Sequence, residues 1–115
     1  MALKDDSLHR LANSFIDASN AFDVERVLAL FTRDAVIDDP STGQRFEGQA
    51  AVRDYIQQFF VGYHTVTRLL SIQHLALDHA RLRVDFTGDF GHEVGLLEMK
   101  VNEHGLIVRI DADLE

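Results

Sequence analysis

Apolar residues recur at three- and four-residue intervals in the first half of the chain and at every second residue in the rest, a pattern that predicts helices followed by strands. Leu8, Leu11, Ala12, Phe15 and Ser19 fall on one helical face, with His9, Arg10, Asn13 and Asp17 on the other. Asp5 or Asp6 offers the N-cap, and Asn20-Ala21 is the expected end. Asp23 can cap a second helix whose stripe is Val24, Val27, Leu28 and Phe31. Ala35-Val36-Ile37 is a short β-prone run that stops at Asp38-Asp39-Pro40-Ser41-Thr42-Gly43, rich in turn formers. Gln44-Arg45-Phe46-Glu47 is expected to pair back across that turn. Gly48 opens a third helix, with Val52, Tyr55, Ile56, Phe59 and Phe60 on one side and Arg53, Asp54, Gln57 and Gln58 on the other; Gly62 ends it.

After Tyr63 the period is two or mixed. Residues 65–77 form one long bent strand, and Ala80, Leu82, Val84 and Phe86 alternate with Arg81, Arg83, Asp85 and Thr87 in the next. Turns are expected at Asp78-His79, at Gly88-Asp89-Phe90-Gly91 and at Asn102-Glu103-His104-Gly105, bounding strands over residues 93–101 and 106–114. Four antiparallel strands joined by hairpins result. A strongly twisted sheet has a concave face that three helices only partly fill, so a pocket is the natural remainder. With 115 residues, this is expected to be a single α+β domain spanning residues 1–115.

A formal charge of -8 with scattered basic residues argues against nucleic-acid binding, which needs clustered Lys and Arg. It also disfavours anionic membranes, and no run reaches spanning length. The absence of cysteine removes disulfides, thiolate catalysis and thiolate metal sites. The polar Met-Ala-Leu-Lys-Asp-Asp start lacks the apolar run of a signal peptide, so a cytoplasmic protein is the expectation. No metal site is expected: there is no His-x-His pair or His-Glu-x-x-His helix, and Asp38-Asp39 and Asp111-x-Asp113 read more simply as a turn and a solvated strand face. Nucleotide-binding loops and the serine hydrolase elbow are absent too, and no cofactor is implied.

Leu30-Phe31-Thr32-Arg33-Asp34-Ala35-Val36-Ile37-Asp38-Asp39-Pro40, followed by Phe46-Glu47-Gly48-Gln49-Ala50-Ala51-Val52-Arg53, resembles the signature of the SnoaL-like and ketosteroid isomerase-like proteins of the NTF2-like superfamily. The order of helices and strands fits that family over essentially the whole chain. The resemblance implies an NTF2-like (cystatin-like) cone, with three N-terminal helices packed on a curved, mixed but mainly antiparallel sheet around a deep apolar pocket. It also implies a homodimer through the outer face of the sheet, here Arg83, Asp85, Val94, Leu96, Glu98 and Arg109. A one-residue slip in register would exchange the two faces.

In the isomerases of this family the aspartate before this proline removes and returns a proton beside a carbonyl, which makes Asp39 the candidate base and points Asp38 the other way. A carboxylate on an apolar wall has its charged form disfavoured and accepts protons more readily. The competing role for Asp39 is to cap the turn before Pro40. Carrying the family's alignment onto this chain puts Phe15 and Leu97 where the isomerases carry their two oxyanion-hole donors, and neither side chain can donate. A standard ketosteroid isomerase is therefore not implied; any enzyme would be a cofactor-independent isomerase or lyase. Tyr55 could supply a donor from another direction, as could Tyr63 or His64, unless Tyr55 is a core residue with its hydroxyl at the rim. The dehydratases of this fold follow an Arg with a histidine in the long strand; here Arg68 precedes Leu69, leaving His64, His74 and His92 as substitutes, His74 foremost. The expected wall is Phe15, Tyr55, Phe59, Val84, Phe86, Leu97 and Met99. The reading is a small-molecule pocket, taking a mainly apolar ligand and using Asp39 as acid/base; the alternative is a non-catalytic ligand-binding or dimerisation module.

Overall fold

A computed structural model describes the backbone of residues 2–115 and the side chains of residues 7–115. Helix α1 (Ala2–Asn20) begins earlier than its predicted cap and runs through Asp5 and Asp6, because Ala2-Leu3-Lys4 are good helix formers. The capping role expected of those two side chains falls outside the described residues. At its other end Phe22 turns left-handed (φ 56°), so that Phe22 N donates to Ser19 O at 3.0 Å and Asp23 N to Ala18 O at 3.1 Å. That closes the helix in the manner usually served by glycine. Asp23 then caps α2 (Val24–Leu28), accepting from Arg26 N.

Strand β1 (Phe31–Asp39) is longer than Ala35-Val36-Ile37, and Phe31 opens it instead of closing the helix before it. Its buried Phe31, Ala35, Ile37 and Asp39 belong to one face, and pairing with the last strand at Phe31 and again from Val36, across a register shift, carries it beyond the run that local propensity marks. A 3₁₀ turn (Pro40–Thr42) closed by left-handed Gly43 (φ 71°) leads to β2 (Gln44–Glu47), which pairs antiparallel to β1 as expected. Helix α3 (Gln49–Ile56) continues directly into a wider π-helical turn (Gln57–Val61), marked by Gly62 N bonding Gln57 O at 2.7 Å. Strands β3 (Val66–Ala76), β4 (His79–Gly88), β5 (Gly91–Val101) and β6 (Ile107–Leu114) follow. His79 belongs to β4, opposite Ala76, so the first hairpin turn is one residue earlier than Asp78-His79.

The strands make one six-stranded sheet in the order β2-β1-β6-β5-β4-β3, antiparallel except where β1 lies parallel to β6. It is a mixed sheet with three helices, the expected α+β cone. Ala80, Leu82, Val84, Leu97, Met99 and Ile110 form the inner face, packed against Leu8, Ala12, Phe15 and Ile16 of α1. Arg81, Arg83, Asp85, Val94, Leu96 and Glu98 occupy the other face, paired as Arg81 with Glu98, Arg83 with Leu96 and Asp85 with Val94. Asn20 ties α1 to the sheet: its side chain accepts from Thr67 N at 2.7 Å and donates to Thr67 O at 2.9 Å. Among the described residues no helix is long and apolar enough to cross a membrane.

Candidate functional site

Asp39 ends β1 on the inner face and is 7% exposed. Its expected capping role is realised, and its second oxygen is turned toward the third helix. Oδ1 accepts from Ser41 N at 3.0 Å and Ser41 Oγ at 2.7 Å, capping the turn at Pro40, while Oδ2 accepts from the Tyr55 hydroxyl at 2.6 Å. A carboxylate offers about four lone-pair sites, so these three bonds leave one for a ligand. Asp38 faces the opposite side, where Arg109 donates to it at 3.2 Å.

Tyr55 does not carry its hydroxyl to the rim. It is buried against Phe46, Phe59 and Phe60, and its hydroxyl is the donor that Asp39 holds. Burial pushes its pKa well above the usual tyrosine range, and the neighbouring Asp39 carboxylate adds to the shift. The phenol therefore stays protonated and keeps donating at any ordinary pH.

The pair sits at the inner end of a cavity of about 340 Å³. Tyr55, Phe59 and Tyr63, spaced four residues apart across the π-helical turn, form one wall, with ring centroids 5.1 and 6.0 Å apart along the row. Phe86 and Phe90 close the facing side, and Phe90 meets Tyr63 at 6.1 Å. Glu93 stands at the mouth beside Leu114. Two glycines make room for the facing rings. A Cβ on Gly95 would lie 2.8 Å from the Phe86 ring, and one on Gly88 would lie 2.8 Å from the Phe90 ring.

Of the expected wall, Tyr55, Phe59 and Phe86 line this cavity. Phe15, Val84, Leu97 and Met99 do not: they lie in the closed core, each at most 4% exposed, because α1 fills the middle of the concave face. Phe15 is enclosed by Phe31 and Phe60. The cavity that holds Asp39 and Tyr55 lies under the π-helical turn, and a separate open space of about 970 Å³ is lined by Leu8, Leu11, Leu77 and Val101. His74 is exposed near the far end of β3, opposite Ala80, and is not part of the cavity. His64, itself left-handed (φ 53°), pairs with Asp89 at 2.9 Å on the outside, and His92 lies 2.6 Å from Asp85, which faces away from the cavity. None of the three lines this cavity. Ser41, Phe90 and Glu93 are site residues that the sequence reading did not single out. The signal for Glu93 was its strand phase, shared with Leu97 and Met99.

An α+β cone that carries an aromatic cavity with an Asp–Tyr pair at one end defines a protein of the NTF2-like fold. The family model for the SnoaL-like domain matches residues 12–110, and the chain belongs to that family. Among curated proteins nothing matches it. Solved structures share the fold at low identity. An epoxide hydrolase/cyclase-like enzyme of pyran ring formation in the polyether salinomycin is similar at 16% identity and TM-score 0.85, covering 96% of this chain and 92% of that one. A polyketide cyclase-like protein from Sinorhizobium meliloti is 22% identical with TM-score 0.83, covering 93% and 98%. A Mycobacterium tuberculosis protein solved with estradiol-17beta-hemisuccinate is 20% identical with TM-score 0.80, covering 92% of each chain.

Proposed function

We propose that the cavity binds a small, mainly apolar organic molecule carrying one or two oxygens, and that Asp39 serves there as the acid/base of a cofactor-independent isomerase or lyase. The observation that carries this reading is the Tyr55–Asp39 hydrogen bond inside an aromatic cavity of ligand size. Asp39 is fixed by three donors and keeps one lone-pair site, so a carbon acid beside a carbonyl can pass its proton to Oδ2. The electron pair moves into the enolate, and Asp39 returns the proton at another carbon or assists loss of a leaving group. Structures of the same fold bear the names of a cyclase, an isomerase and a steroid complex, which is consistent with an oxygenated apolar ligand. Asp39→Asn should retain fold and ligand but lose turnover of an enolisable ketone. Undiminished turnover would remove Asp39 from the mechanism.

A non-catalytic binding role is favoured by one observation. The only hydrogen Tyr55 has to donate is spent on Asp39, and Phe15 and Leu97 are buried apolar residues, so an enolate oxygen would lack a donor from these positions. In that case a bound ligand raises the melting temperature while no pH-dependent rate appears. Native mass spectrometry of molecules retained on purification identifies the ligand under either reading. The same proposal seats a second copy of the chain on the outer face around Val94 and Leu96, in a cytoplasmic setting that the lack of cysteine permits.

A further inference from the structure

The charged residues that line the cavity are both acidic. Asp39 lies at its inner end and Glu93 at its mouth, and no Lys, Arg or His is among the lining residues. Between them the walls are aromatic: both tyrosines of the chain and four of its eight phenylalanines face this one space. The ring faces carry negative potential, which attracts a cation held within about 6 Å of a centroid. The rings are seated with care. Phe86 and Phe90 each lie over a glycine where any Cβ would stand 2.8 Å from the ring, so the backbone itself holds them in the wall. The chain's overall charge of -8 draws cations toward the mouth and repels anions.

We infer that the cavity selects ligands carrying a protonated amine or other organic cation, whose charge lies between the aromatic walls and Glu93 while an apolar body fills the interior. This rests on the reading of the cavity as the ligand site and deepens it, since it names the class of ligand. A carboxylated or phosphorylated ligand would meet two carboxylates with no countercharge from the lining. A neutral alcohol would satisfy the free lone pair of Asp39 but leave Glu93 and the ring faces unused. A cation uses both.

The test is a pair of probes alike in size and shape, 2-phenylethylammonium and 2-phenylethanol, titrated at neutral pH and followed by NMR shifts of the Tyr55 and Tyr63 rings. The ammonium should bind at least about tenfold more tightly, in line with a cation held by desolvated rings and a carboxylate. Glu93→Gln should cut that preference severalfold, through weaker binding of the ammonium probe. Equal or tighter binding of the alcohol, or a preference untouched by Glu93→Gln, overturns the inference while the cavity remains the ligand site. Binding of neither probe overturns both the inference and the cavity reading beneath it.

Discussion

The Tyr55 hydroxyl donates to Asp39 Oδ2 at 2.6 Å inside the fold, joining the third helix to the end of the first strand. Because burial and the carboxylate raise the Tyr55 pKa, the folded protein keeps a proton that the unfolded chain releases once the pH passes about 10. The stability this retained proton contributes is complete below that pH and declines as the pH climbs toward the folded value. Tyr55→Phe should cost about 1–3 kcal/mol at neutral pH, the range for a buried bond to a charged acceptor. It should also flatten the fall in urea midpoint between pH 9 and 11. An alkaline slope equal to that of the parent would show that Tyr55 is not the titrating group.

Gly95 permits Phe86 to lie across β5. In Gly95→Ala the new methyl would meet that ring at 2.8 Å and the Asp113 carbonyl at 3.0 Å. A loss of about 1–3 kcal/mol is expected from overpacking. Pocket affinity should fall as well, because Phe86 is part of the wall. Chemical denaturation and probe titration report the two effects separately.

Asn20 binds both the N–H and the C=O of Thr67, a polar tie between the first helix and the edge strand β3. Asn20→Ala should lower stability by about 2 kcal/mol, as two bonds are lost and one backbone donor is left without its partner. Hydrogen exchange at the Thr67 amide should accelerate more than exchange in the β5–β6 hairpin. A uniform change across the sheet would argue for a global effect only.

If a second copy covers the outer face, Leu96→Glu should convert a dimer to a monomer in sedimentation equilibrium, since the new carboxylate would stand beside Glu98 and opposite Asp113. The monomer's own core is untouched by this change. A parent protein that sediments as a monomer at high concentration would rule the dimer out.

Much of the fold was legible because its cause is local. The stripes of α1 and α3 and the alternation in β4 and β5 each encode a buried face within a few residues. What periodicity did not show was the length of β1. Its polar middle, Thr32-Arg33-Asp34, falls in a register shift between Phe31, which pairs with Ile107, and Val36, which pairs with Arg109 of β6 far along the chain. The site was legible in part. Asp39, Tyr55, Phe59 and Phe86 were visible as chemistry or as apolar phase, whereas Glu93 and Phe90 look like turn and surface residues until the hairpin folds them over the mouth.

The sequence alone determined the α+β fold class, its inward faces and an aspartate placed before the proline turn, since these follow from periodicity and turn chemistry. Only the tertiary structure decided which inward residues meet empty space. Phe15, Val84, Leu97 and Met99 share the inner face with the cavity lining, but α1 packs over them and seals them into the core. Beside the π-helical turn the aromatic cavity opens, and there Asp39 accepts the Tyr55 hydrogen bond. Packing of distant segments sets that gap, and no local pattern carries it.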